Sequence, residues 1–344
     1  MRTKQQTWRT TVLALLMGVA ACGGDGDGTG SRAPTAVTAT TPTTITAVAG
    51  AAVTPAPAVR VVDSQGRGVS GVPVVFAVTG GGGTVTGGSV QTGADGTATA
   101  GGWTLGTVAG ANTLTATVQG LTVVTFTATG TAAAAAALAE VSGDPQSGAV
   151  GSALPQPLVV RVTDANGNPV AGTTVAFAVT SGGGTVSPTS AATDAQGRAS
   201  ATMTLGGAVG AQTVTATVAG LPQVSFSVTA TAGAAATLTK VAGDNQTART
   251  GAAVPVAPSV RVTDQFGNPV SGVTVTFSVT SGGGSVTGGV VTTSAAGTAT
   301  VGSWTLGAAA GVNTLTASAP GVASVNFTAT ATATSDPCTV RTPF

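Results

Sequence analysis

The sequence predicts an all-β chain, with three tandem β-sandwich units following an N-terminal export signal. Three observations lead there. The composition favours strands over helices, one domain-sized pattern of residues occurs three times, and within each copy apolar and polar residues alternate. Charged residues are 7% of the chain, against roughly 25% in typical soluble domains. The Glu, Lys, Leu and Gln that make exposed helices are scarce, whereas Thr and Val, which suit a pleated half-buried surface, are abundant. The 344 residues accommodate two or three domains.

The N-terminus reads as an address. Arg2, Lys4 and Arg9 give a positive start, Val12–Leu16 and its neighbours an apolar stretch, and Val19-Ala20-Ala21-Cys22 a small-residue ending. That order of parts is a secretory signal peptide, assigned to residues 1–21. The ending resembles the lipobox of bacterial lipoproteins. The resemblance implies that Cys22 is cut free and acylated, anchoring the chain to a membrane through lipid. Two or three acyl chains hold stably where one gives only marginal binding. The absence of Asp after Cys22 implies, by the same resemblance, sorting to the outer membrane or cell surface where the cell has one. Residues 22–33 form the acylated cysteine and a Gly-rich flexible tether.

Charge excludes one class of partner. Without Arg2, Lys4 and Arg9 the mature chain has 9 basic and 11 acidic residues, and neither sign is clustered. Binding to nucleic acid needs clustered Lys and Arg that displace counterions from phosphates, so no nucleic acid is expected. Mean hydropathy is +0.42, but it comes from scattered Ala and Val. The longest later apolar run, Ala132–Ala139, is far short of the ~18 residues of a spanning helix.

The repeat is domain-sized. Arg60-Val-Val-Asp63 returns as Arg161-Val-Thr-Asp164 and Arg261-Val-Thr-Asp264, a period of 100 or 101 residues. Phe76, Phe177 and Phe277 keep step, as do Phe126, Phe226 and Phe327. The units are placed at 34–131, 132–232 and 233–332, with a tail at 333–344. In the third, Val260 and Val262 face one way and Arg261 and Thr263 the other; Val275, Phe277 and Val279, Leu315 and Ala317, and Phe327, Ala329 and Ala331 follow suit. Six or seven such strands per unit, separated by turn residues, read as a sandwich.

Turn chemistry fits the same picture. Asp164-Ala-Asn-Gly-Asn-Pro and Asp264-Gln-Phe-Gly-Asn-Pro place Gly where positive φ is needed, and Pro169 and Pro269 fix the start of the next strand. The first unit has Asp63-Ser-Gln-Gly-Arg-Gly there, without the Pro. Trp103 and Trp304 occupy matching places taken by Met203 in the second unit, and a large side chain capping the core is the expected common role. Between Gly96 and Trp103 there is one residue more than between Gly197 and Met203, which predicts a β-bulge in two units and none in the unit of Met203.

The pattern Val-x-Asp-x-x-Gly-Asn-Pro-Val-x-Gly-x-x-Val-x-Phe, with a distal Leu-Gly and an alternating Thr-Leu-Thr-Ala, resembles the bacterial Ig-like domain of group 1 (Big-1), the repeats of intimin and invasin. The likeness covers residues 34–332. It implies three immunoglobulin-like β-sandwich domains after a lipoprotein signal peptide, and a rigid extracellular rod. The sequence departs from that family in showing neither its β-barrel anchor nor its lectin-like tip.

Reactive side chains are few. There is no His and no Tyr, and the mature part has one Lys (Lys240) and one Glu (Glu140). Ser-His and Cys-His nucleophile pairs are therefore excluded. Asp63, Asp164 and Asp264 recur at turns of separate units, as turn-formers. No catalytic residue, cofactor or metal site is expected, and the chain reads as non-enzymatic. Asp25-Gly-Asp27-Gly-Thr29-Gly imitates the start of a calcium loop, but its twelfth position is Ala36, where a bidentate carboxylate belongs. Asp164, Asn166 and Asn168 offer oxygens that the hairpin turn already explains. Cys338 has no partner within the chain once Cys22 is acylated. The expected function is a surface stalk or spacer; the alternative is an adhesin that binds a glycan or a host or neighbouring-cell protein through the repeats.

Overall fold

The structure, a computed structural model, describes residues 32–333. The signal peptide, Cys22, most of the tether and Cys338 lie outside the described residues. What is described is built of strands and turns. The strands group into three sandwiches, each around its own apolar cluster.

The middle unit shows the plan. A four-stranded sheet has the order Ala137–Ser142, Leu158–Thr163, Arg198–Leu205, Gly184–Ser187. A five-stranded sheet has the order Gln146–Ala149, Val224–Thr231, Gly210–Thr217, Thr174–Ser181, Ser190–Ala192. The first strand of the unit thus divides between the sheets. Ala137–Ser142 pairs antiparallel with Leu158–Thr163, and Gln146–Ala149 then crosses over and pairs parallel with Val224–Thr231. This division and the short hairpin strands raise the number from the expected six or seven to nine in the middle unit and ten in each of the others.

Alternation does what the sequence predicts. Ala199, Ala201, Met203 and Leu205 are buried while the residues between them face solvent. Leu158, Val160 and Val162 oppose them from the neighbouring strand. In the third unit Val260, Val262, Val275, Phe277, Leu315, Ala317 and Phe327 are buried as expected, with Val279 packed at the margin. Burying a Val, Leu or Phe side chain contributes about 1.5–3 kcal/mol, so the ten or more such residues in each unit's cluster supply each sandwich with its own core.

The extra residue of the first and third units acts as a break. Arg198–Leu205 is one continuous strand, whereas its counterparts divide into Thr97–Thr99 with Gly102–Thr104 and Thr298–Thr300 with Ser303–Leu306. Ala98 and Ala100 point inward, two residues follow, and Trp103 is next to turn in. Trp103, Met203 and Trp304 are fully buried inside the core. They fill the core; they do not cap it. No hydrogen-bond partner reaches the indole nitrogen of Trp103 or Trp304.

Candidate functional site

The buried Asp, Asn and Gln side chains gather at the two ends of each unit. In the middle unit the Asp164–Pro169 turn closes one end, beside Arg198, which pairs with Arg161. The Arg198–Leu205 strand runs from there to the opposite end, where Gly206–Val209 follows. Eight residues at about 3.3 Å each put some 25 Å between the two loops. Each loop faces a different neighbour.

At the first end Asp164 is buried and its carboxylate is saturated by donors. Oδ1 accepts the backbone N–H groups of Asn166 and Asn168, each at 2.9 Å. Oδ2 accepts Asn168 Nδ2 at 2.9 Å and the N–H of Ala133, in the linker from the preceding unit, also at 2.9 Å. Burial pushes the Asp164 pKa up, but the Asn168 amide and the three backbone donors outweigh it and hold the carboxyl at about 2. A carboxylate accepting several N–H groups is stabilised in its charged form. The same donors leave no open oxygen for a cation, so the turn reading stands.

Asn168 carries the contact across. Its Nδ2 donates to the Thr107 carbonyl at 2.8 Å and its Oδ1 accepts the Ala109 N–H at 2.8 Å, both in the first unit. The second joint repeats the bond to the linker and the amide's donor bond to the preceding loop. Gly233 N–H donates to Asp264 Oδ2 at 2.9 Å, and Asn268 Nδ2 donates to the Gly207 carbonyl at 2.8 Å. Burial again raises the Asp264 pKa, and the Gly233 N–H and Asn268 amide bring it below the usual carboxylate range. A buried Asn side chain that satisfies donors and acceptors on two units fixes their relative orientation.

The receiving loops are braced from within. Gly106 N–H donates to Asn112 Oδ1 at 2.9 Å, Gly206 N–H to Gln212 Oε1 at 2.9 Å, and Gly307 N–H to Asn313 Oδ1 at 3.0 Å. All three amides are buried. The first unit differs at its other end. Arg67 replaces the asparagine and turns back on Asp63, with Nε 2.9 Å from Oδ2. Burial of Asp63 is again outweighed, by the Arg67 and Gln65 donors, and its pKa is lowered.

The other side chains with reactive potential are dispersed. Glu140 is exposed on the Ala137–Ser142 strand. Lys240 pairs with Asp244, donates to the Asn326 carbonyl at 3.0 Å, and lies 5.8 Å from the Phe327 ring centroid. Asp63, Asp164 and Asp264 fall in three separate units, and no group of three or more His, Cys, Asp or Glu among the described residues converges to hold a metal. The lipidation assigned to Cys22 lies outside the described residues.

Tandem β-sandwich repeats joined through polar turns of shared geometry define a class of modular repeat protein. Residues 155–232 match the family model of the bacterial Ig-like domain (group 1), so the middle unit is a domain of that family. Among solved structures the chain is similar to FdeC, an adhesin of Escherichia coli, with 25% identity and a TM-score of 0.56 over 86% of this chain and 96% of that one. InvD of Yersinia pseudotuberculosis is 19% identical with a TM-score of 0.45, over 86% of this chain and 96% of that one. Invasin, a bacterial integrin-binding protein, is 21% identical with a TM-score of 0.42, over 87% of this chain and 60% of that one.

Proposed function

We propose that this is a non-enzymatic envelope lipoprotein, a stalk or spacer of Ig-like repeats held to a membrane through acylated Cys22. The observation that carries the reading is the pair of joints. A flexible string of domains would need only the linkers, yet Asp164–Asn168 and Asp264–Asn268 each bond the linker and the loop of the repeat before. Such contacts serve a chain whose repeats must keep a fixed relation to one another. Repeats placed at 34–131, 132–232 and 233–332 would then add length outward from the tether.

The test is membrane fractionation with protease shaving of intact cells, comparing the wild type with Cys22→Ala. Retention of the wild type and release of the exported variant are expected. A variant that stays in the membrane fraction overturns the anchor.

A second reading is favoured by the likeness to FdeC, described as an adhesin: the repeats themselves bind a glycan or a protein on another cell. Binding of the purified mature chain to cells or glycan arrays supports it, and a blank array favours the spacer.

A further inference from the structure

We propose that each joint is a size-matched plug and socket, and that the pairing of Phe266 with Gly207 fixes which repeat can follow which. The inference deepens the stalk reading, but its test reads the joint and not the anchor, so either can fail alone.

The plug is the third residue of the Asp turn and the socket is the residue after the braced glycine. In the second joint these are Phe266 and Gly207. A β-carbon on Gly207 would lie 2.8 Å from Phe266 Cδ1, and one on Gly151 would lie 2.7 Å from Phe266 Cζ. Both distances are closer than real carbon contacts allow, so the ring rests directly on two glycine backbones of the preceding repeat. It remains 47% exposed on its outer side.

The two glycines are there for different reasons. Gly50, Gly151 and Gly251 share one position and all have φ between 73° and 79°, which side chains rarely adopt. Gly207 has no positive φ, and its counterparts are Thr107 and Ala308. Its own backbone does not require glycine. The ring of the next repeat does.

The first joint solves the same space in the opposite way. Thr107 Cγ2 lies 3.7 Å from where a β-carbon on Gly50 would be, so the first repeat fills its own notch. The residue at the plug position of the second repeat, Asn166, is correspondingly smaller than a phenylalanine. In the third repeat nothing lies within 4 Å of the Gly251 β-carbon direction. A notch filled from inside takes a small plug, and an open one takes a ring. Placing the third repeat after the first would drive Phe266 against Thr107.

The contact works only between tethered neighbours. A single ring and a few hydrogen bonds fall far below the ~1,000 Å² of a stable interface between separate chains, whereas a short linker holds the partner at millimolar effective concentration. The specificity is therefore one of order within the chain.

The test is a compensating pair of substitutions. The full mature chain, with Cys22→Ser and Cys338→Ser, carries nitroxide labels at Ser200→Cys and Thr300→Cys, both exposed. Pulsed dipolar spectroscopy then reads the distance across the second joint. The parent should give one narrow peak. Gly207→Thr should shift and broaden it by displacing Phe266, and Phe266→Asn should broaden it. Gly207→Thr with Phe266→Asn should narrow it again, reproducing the Thr107 and Asn166 pairing of the first joint. Threonine at this position is compatible with a folded repeat, since Thr107 occupies it, and an unchanged melting curve for each variant checks this. A peak unaffected by Gly207→Thr, or a double variant broadened as the sum of the two singles, overturns the proposal.

Discussion

Asp164 and Asn168 act as one device: Asn168 Nδ2 donates to Asp164 Oδ2 at 2.9 Å and to the Thr107 carbonyl of the preceding repeat at 2.8 Å. The carboxylate orients the amide, and the amide orients the neighbouring unit. Every donor and acceptor of the pair is used, so changes there should be felt at the joint more than in either core.

Asn168→Ala removes both hydrogen bonds to the first repeat. Each contributes about 1 kcal/mol net, and the loss should loosen the joint while the three sandwiches keep their strand content. Nitroxides at Thr99→Cys and Ser200→Cys would show a broadened distance with an unchanged far-ultraviolet circular-dichroism spectrum. A peak as narrow as the parent's would refute the clamp.

Acid should release the same joint late. The Asp164 pKa falls from 3.8 to about 2 in the folded chain. The stabilisation by the ionised form is therefore complete above the unfolded value of 3.8 and is lost as pH falls through about 2. The Thr99–Ser200 distance should hold at pH 4 and spread only on further acidification. Asp164→Asn should flatten that dependence; a parent joint that already opens above pH 4 would contradict it.

Replacement of Trp304 separates volume from polarity. Its indole N–H lacks a partner, and Met203 fills the matching place in the second repeat. Trp304→Met should cost much less than Trp304→Ala, for which large-to-small core changes set about 3–5 kcal/mol. Denaturant unfolding of the two variants provides the comparison, and equal losses would mean that the indole has a role beyond filling space.

A buried threonine in each repeat ties the turn that follows the Asp loop to the strand paired with it. Thr193 Oγ1 donates to the Val170 carbonyl at 2.7 Å and accepts the Thr173 N–H at 2.9 Å, and Thr92 and Thr293 repeat this. Thr193→Val keeps the shape but strands both groups, at about 1–3 kcal/mol each when buried. A lowered unfolding midpoint is expected in the second repeat, and an unchanged one would show that water replaces the hydroxyl.

Much of the fold was legible because burial leaves a local mark. Val260, Arg261, Val262 and Thr263 alternate in sequence and alternate in space. The additional residue before Trp103 and Trp304 was visible by counting, and it does interrupt the strand. The joints were not legible. An Asn at position 168 forms the turn whether or not it also reaches Thr107, 61 residues away, so its type and spacing look the same in either case. One signal was present. Arg67 stands where the second and third repeats have Asn168 and Asn268. Gln212, fully buried as a brace, gave no sign at all, since Asn112 and Asn313 read as ordinary polar strand residues.

The parallel pairing of Gln146–Ala149 with Val224–Thr231 has a mechanical consequence. The chain enters the middle repeat through Ala137–Ser142, continues as Gln146–Ala149 and leaves through Val224–Thr231, the last two running the same way. Tension along the chain therefore draws them past each other lengthwise, straining all the bonds of that ladder together and not opening them one by one. The first and third repeats pair their terminal strands in the same sense, so a pull from either end meets three such ladders in series.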